Sequence, residues 1–218
     1  MAVTAHDMIH NQSAVEASPE GRRLRRVLHV GCGSARADGL PVCFKDDWQE
    51  VRLDINPAVA PDIIGSITDL SSVASESIDA IWSSHNLEHL NSYEVPLALA
   101  EFKRVLKPDG FALITLPDIR AVALHIVEDR LTQPLYQSAG GPIAPLDILF
   151  GHQRSMEQGN HYMAHRTAFT ATTLGQVLLD AGFTEVRVHE GRHWDLWAIA
   201  IMPDTSPDLF KELDGVVP

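Results

Sequence analysis

Arg26-Val-Leu-His-Val-Gly31-Cys-Gly33-Ser-Ala35 constrains this chain more than any other stretch. It reads as a buried strand that breaks into a glycine turn and then opens a helix. About twenty residues further on, Glu50-Val-Arg-Leu-Asp54-Ile-Asn-Pro57 reads as a second strand ending in a carboxylate. A doubly wound sheet holds a nucleoside in this way. Glycines let the backbone approach the ligand, and the acid accepts hydrogen bonds from two ribose hydroxyls.

The alternation continues along the chain. Val27 to Val30, Val51 to Ile55, Ile63 to Ile67, Ile78 to Ser83 and Phe111 to Leu116 have strand length and β-branched content. Asn56-Pro57, Pro61-Asp62 and Lys107-Pro108-Asp109-Gly110 supply the turns. Ser92 to Leu106 is the clearest helix, with Ser92 as cap and Leu97, Ala100, Phe102, Val105 and Leu106 as its apolar stripe. A second helix, Thr172 to Ala181, stops at Gly182. Phe183 to His189 and His193 to Met202 then follow with only Glu190-Gly191-Arg192 between them, which permits an antiparallel hairpin alone. The expected fold is α/β: a Rossmann-like, doubly wound, mostly parallel sheet of seven strands whose last strand is antiparallel. A dinucleotide-binding domain does not usually end in such a hairpin, which counts against a nicotinamide-dependent oxidoreductase.

Residues 1–21 read as a loose arm, 22–202 as the folded domain and 203–218 as a tail. Residues 118–169, after the fifth strand, are too long for a plain connection and are expected to form a lid or a substrate wall. That insertion holds a helix expected over Ala121 to Leu131 and gathers His125, His152, His161 and His165 near Tyr162 and Arg166. A histidine there suits a general base on a hydroxyl or amine. His165 and His161 are the preferred catalytic candidates. Trp194 and Trp197, flanking Asp195, are expected to pack in the core.

A net charge of −12 argues against nucleic acid and anionic membrane as partners. No run approaches a membrane span, and the first ten residues lack the apolar segment of a secretory leader, so a cytoplasmic protein is the expectation. Cys32 and Cys43 make no disulfide framework, and Cys32 reads as a small packing residue. His85-Asn-Leu-Glu88-His89 has the H-x-x-E-H spacing of one zinc peptidase class. That chemistry needs both histidines on one helical face, whereas His85 falls at a strand end. No metal is expected; a family resemblance set out below leaves a divalent ion at His85, Glu88 and His89 as a lesser alternative.

These motifs together resemble the class I S-adenosylmethionine-dependent methyltransferases, most closely the small-molecule kind known as type 11. The resemblance is carried by Val-Leu-His-Val-Gly31-Cys-Gly33, Val-Arg-Leu-Asp54, Pro61-Asp62-Ile-Ile-Gly65-Ser66-Ile-Thr-Asp69, Ile78-Asp79-Ala-Ile-Trp-Ser-Ser-His85-Asn-Leu-Glu88-His89, Glu101-Phe-Lys-Arg-Val-Leu-Lys-Pro108-Asp-Gly110 and Ala181-Gly182-Phe183. It covers 26–117 well, 168–202 in outline, and the insertion hardly at all.

The resemblance implies S-adenosylmethionine as cofactor. Gly31 and Gly33 would pass beneath it, Asp54 would take the ribose, and Ile55, Ser66 and Ile67 would surround the adenine. Ser84 and His85 would lie near the sulfonium. Glu88 and His89 would steady the start of the next helix. Two positions depart from the pattern: Ala35 where a third glycine is frequent, and Ser66 where an acid is common. The implied activity is methyl transfer to a small-molecule acceptor, at oxygen or nitrogen. A noncatalytic cofactor-binding or scaffolding protein is the alternative. Leu146, Ile148, Leu149 and Phe150 offer a homodimer contact.

Overall fold

The computed structural model describes residues 23–34, 39–138, 140–213 and 215–217. The proposed N-terminal arm and the start of the helix expected after the glycine turn lie outside the described residues.

In chain order the strands are β1 (Arg25–Val30), β2 (Trp48–Asp54), β3 (Ile63–Ile64), β4 (Ile78–Ser84), β5 (Leu106–Pro117), β6 (Tyr136–Ser138), β7 (Gly141–Ile143), β8 (Glu185–Glu190) and β9 (Asp195–Ile201). The helices are α1 (Val95–Val105), α2 (Ile119–Val127), α3 (Pro145–Phe150), α4 (Gln153–Glu157), α5 (Ala171–Asp180) and α6 (Leu209–Leu213). Seven strands form one sheet in the order β3-β2-β1-β4-β5-β9-β8, and β6 with β7 makes a separate two-stranded hairpin. The expected mostly parallel sheet is present: β1 to β5 pair in parallel, while β9 runs antiparallel to both β5 and β8.

The register decides where chemistry can occur. Val30 pairs with Leu53 and with Ser83, and Asp54 pairs with Ile64, so these parallel strands finish along one edge. Chain order reverses there, on either side of β1, and open α/β sheets bind ligands at such a crevice. Because β9 is antiparallel, its first residue, Asp195, arrives at the same edge opposite Pro117.

The two faces of the sheet are covered differently. One core gathers Leu28, Val30, Leu53, Ile81 and Ile114 beneath α1 and α5. Val95, Ala98, Leu99, Phe102 and Val105 are the buried residues of α1, so its buried stripe includes Ala98 and Leu99 in place of the expected Leu97 and Ala100. The helix also starts at Val95, with Pro96 in its first turn, and Ser92 does not cap it. On α5, Thr170 caps as a capping-box residue and Leu174 and Leu178 are buried.

The opposite core contains Val27, Phe44, Trp82, Phe111, Ile199, Phe210 and Leu213. The helix expected after the glycine turn is missing from Gly39 to Asp47, where a 3-10 turn at Val42–Phe44 is the sole helical element. Gly39 and Pro41 are poor helix-interior residues, which accounts for the difference. Much of that face is instead covered by α6 at the carboxyl end, which brings Leu209, Phe210 and Leu213 against the sheet. Residues 203–213 thus pack rather than trail.

The insertion leaves β5 at Asp118, whose side chain accepts from the Arg120 amide at 2.9 Å and starts α2 earlier than the expected Ala121. Gly151 sits at φ +96°, and a Cβ there would lie 1.9 Å from the Met163 carbonyl oxygen. Only glycine lets this loop close against Ala164.

Candidate active site

The glycine turn and the strand-end carboxylate meet as expected. Gly31 and Gly33 have φ of +62° and +58°, which glycine adopts without the Cβ penalty. The Gly33 amide donates to Asp54 Oδ2 and the Asn56 amide to Asp54 Oδ1, both at 2.8 Å. Asp54 is buried, and its oxygens retain further lone pairs for hydroxyl donors. Arg52 ties the turn from outside, donating to the carbonyls of Gly33 and Ala60.

A cleft of about 280 Å³ opens here, lined by Gly31, Asp54, Ile55, Ser66, Ile67, Thr68 and His89, with Tyr162 and Arg166 reaching in from the insertion. Ser66 Oγ and Thr68 Oγ1 are 2.8 Å apart. Two features suit a bound cofactor. Among the described residues, a Cβ at Gly33 would meet nothing within 4 Å, leaving space over the turn. Beside Gly31 lies the Asn86 amide, whose buried Nδ2 has no hydrogen-bond partner among the described residues.

A second cavity of about 280 Å³ lies under the insertion, lined by His85, His89, His152, His165, His193, Tyr136, Trp194, Ile143, Ile148, Met163 and Asp147 among others. Its aromatic wall is built in layers: Tyr136 stacks on Trp194 at 6.0 Å and 10°, and Trp194 Nε1 donates to His125 Nε2 at 2.9 Å. Trp194 precedes β9 with φ +56°, and His85 follows β4 with φ +49°. Left-handed backbone is uncommon for such residues and is concentrated at functional sites. Trp194 is a cavity wall, whereas Trp197 is half-buried against the core, where it stacks on Trp82 at 5.6 Å.

The expected site residues are divided between these spaces. Gly31, Asp54, Ile55, Ser66 and Ile67 line the first cleft, and Gly33 holds its carboxylate. Ser84 and His85 line a third cavity of about 420 Å³ with Trp82, Thr115, Asp195 and Trp197, and His85 also reaches the histidine-rich cavity. His165 stands in that cavity, while His161 is exposed on a 3-10 turn and lines none of the three.

Glu88 and His89 do something the family pattern did not imply. They do not cap α1; they fasten the insertion. The Glu88 carbonyl accepts from the amides of Arg166 and Thr167, and His89 Nδ1 donates to the Ala164 carbonyl at 3.1 Å. The Glu88 side chain is 2 % exposed and its Oε1 lies 3.3 Å from His85 Nδ1. Burial alone would raise the Glu88 pKa, but His85, His89 and His165 together hold it below the usual glutamate value. Burial works against a charged His85 too, yet Glu88 and Asp195 raise its pKa above ordinary imidazole. His165 goes the other way: burial lowers its pKa despite Glu88 and its bond to the Ile148 carbonyl. Burial also raises the Cys32 thiol, in keeping with a packing role. Sequence reading missed Tyr136 and His193 as site residues, and it considered Glu88 and His89 only with His85, never with His165. The adjacency of His193 to Trp194 was the available signal.

A seven-stranded sheet in this order, with a glycine turn and a strand-end carboxylate at the switch point, defines the Rossmann-like fold of class I methyltransferases. Residues 28–114, from β1 into β5, match the family described as "Methyltransferase domain". Over that segment, and in its fold, the chain is similar to the class I S-adenosylmethionine-dependent methyltransferases. A solved SAM-dependent methyltransferase from Archaeoglobus fulgidus superposes with a TM-score of 0.53 at 18% identity, over 82% of this chain and 86% of that one. The PH0226 protein of Pyrococcus horikoshii gives 0.57 at 15% identity, over 83% and 82%. The 1,6-didemethyltoxoflavin-N1-methyltransferase of Burkholderia thailandensis, solved with 1,6-didemethyltoxoflavin and S-adenosylhomocysteine, gives 0.53 at 16% identity, over 84% and 72%. No curated protein matches the chain. Among the described residues, no helix is long and apolar enough to cross a membrane.

Proposed function

We propose that this protein methylates an oxygen or nitrogen of a small, planar molecule seated in the histidine-lined cavity, with S-adenosylmethionine held in the cleft beside Asp54. One observation carries the reading: the cleft and the cavity are separate spaces that share His89. A donor and an acceptor held on either side of one residue is the arrangement that group transfer needs.

Bound cofactor supplies an electrophilic methyl group, and the remaining work belongs to the chain. Asp54 would accept the two ribose hydroxyls, Ile55 and Ile67 would pack on the base, and the Ser66–Thr68 hydroxyl pair would face its edge. Tyr162 and Arg166 cover the cleft from the insertion. In the cavity, Tyr136 and Trp194 present parallel rings, the shape that favours a flat acceptor by offset stacking. Ile143, Ile148 and Met163 exclude water. The heterocycle bound by the Burkholderia relative is an acceptor of that kind. His165 stands where the acceptor's reacting heteroatom would be met; His161 does not.

The test is calorimetric titration with S-adenosylmethionine and, separately, NADH, followed by transfer of labelled methyl to a panel of phenols, catechols and heteroaromatic amines. Micromolar binding of the first compound, lost in Asp54→Ala, together with transfer to a flat acceptor, is the expected result. A folded protein that fails to bind S-adenosylmethionine refutes the reading. Binding without transfer to any flat acceptor favours the noncatalytic alternative.

A further inference from the structure

We propose that Glu88, His89 and His165 form a binding site for one first-row divalent transition-metal ion, with its open coordination positions facing the acceptor cavity. One potential ligand atom from each residue lies within 4.8 Å of the other two. Ligands on a single ion sit about 2 Å from it, so modest side-chain adjustment closes this set onto a metal. Glu88 and His89 come from the turn after β4 and His165 from the insertion. The family pattern covers only the first element.

Two further observations point to a cation. Both carboxylate oxygens of Glu88 are buried and neither has a hydrogen-bond partner among the described residues. His85 Nδ1 faces Oε1 at 3.3 Å as an ion pair. The His85 charge offsets that of Glu88 but leaves the buried lone pairs without donors, a cost that a coordinated cation would remove. In addition, each histidine ligand has its outer nitrogen engaged. His89 Nδ1 meets the Ala164 carbonyl at 3.1 Å and His165 Nδ1 meets the Ile148 carbonyl at 2.7 Å. These bonds place the protons on Nδ1 and leave each Nε2 bare, the second-shell arrangement of metal-ligating imidazoles. Two imidazoles and one carboxylate suit zinc, cobalt, iron or manganese better than magnesium or calcium, which prefer all-oxygen shells.

His89 and His165 both line the acceptor cavity. An ion between them would take the acceptor's oxygen as a further ligand and ease loss of its proton. That consequence rests on the function proposed above; the presence of the site does not.

The full chain, stripped with a chelator, is titrated with Zn²⁺ by calorimetry and with Co²⁺ by visible absorption, and S-adenosylmethionine affinity is measured in parallel. The expected result is one ion per chain, a cobalt d–d spectrum of low-symmetry N/O coordination, and a zinc-dependent rise in Tm. Glu88→Gln, a near-isosteric change, and His165→Asn, on the insertion, should each weaken binding by about tenfold or more and remove the Tm rise. Cofactor affinity should stay within about twofold. No binding at micromolar zinc, or binding that survives both substitutions, overturns the assignment. Intact metal binding with no affinity for S-adenosylmethionine would sink the cofactor reading and leave the ion site standing.

Discussion

The cleft around Asp54 and the cavity around Trp194 have the same volume and share one residue, yet they are built by different means. The cleft is made by the ends of β1, β2 and β3 together with the turns that follow them. Its key carboxylate is fixed by backbone amides of Gly33 and Asn56. The cavity is walled by a long excursion of short helices and one small hairpin, closed by side-chain contacts such as Trp194 to His125 and His89 to Ala164. Sheet edges fix a cofactor site through backbone register, whereas an insertion fixes an acceptor site through side chains that can be exchanged singly. One scaffold can therefore serve many acceptors while keeping one donor site.

If that contrast is real, the largest difference should appear in stability. Phe102 on α1 is fully buried against the sheet core, while Val127 at the end of α2 is 85% exposed. Phe102→Ala should cost about 3–5 kcal/mol in urea unfolding, and Val127→Ala less than about 0.5 kcal/mol. Equal losses would mean that the insertion belongs to the same cooperative core as the sheet.

Affinity comes next. Asp54→Ala removes the proposed acceptor of two ribose hydroxyls, each bond to a charged group being worth about 1.5 kcal/mol or more. S-adenosylmethionine should bind about a hundredfold more weakly, as read by calorimetry. Trp194→Ala should instead leave cofactor affinity within about twofold and lower kcat/KM for the acceptor by about tenfold, through loss of the stacking wall. A Trp194 variant that loses cofactor as well would collapse the two sites into one.

The same contrast explains what the sequence made legible. Strands of uninterrupted aliphatic residues, Gly31, Gly33 and Asp54 could be placed because their roles are backbone roles, tied to local pattern. The terminal hairpin followed from a three-residue connection alone. The non-helical path from Gly39 to Asp47 was harder: α6, far away in sequence, covers much of the sheet face on that side. The α1 stripe was displaced because Leu97 and Ala100 fit an apolar pattern as well as Ala98 and Leu99 do. Glu88 and His89 read as parts of a helix start or, with His85, of an ion site, since nothing local reveals that residues 164–167 fold back onto them. His161 and His165 looked equivalent, and only the closing of Gly151 against Ala164 brings one inward and leaves the other in solvent.

The smallest effect concerns His29, on β1 beneath the glycine turn. It is 6 % exposed, and its Nδ1 lies 2.7 Å from Glu50 Oε1. Burial lowers its pKa below 6.5, and Glu50 only partly offsets that. In the folded state the imidazole therefore stays neutral to a lower pH than it does in the unfolded chain. Between the two values the unfolded chain binds more protons, so stability rises with pH. Acidification from pH 6.5 towards the folded pKa should steadily weaken the protein through this group. Each unit between the two pKa values is worth about 1.4 kcal/mol. His29→Gln keeps a polar partner for Glu50 without a proton to gain, and should flatten the urea midpoint between pH 6.5 and pH 5.5 relative to wild type. An unchanged slope would place the acid sensitivity of the sheet elsewhere.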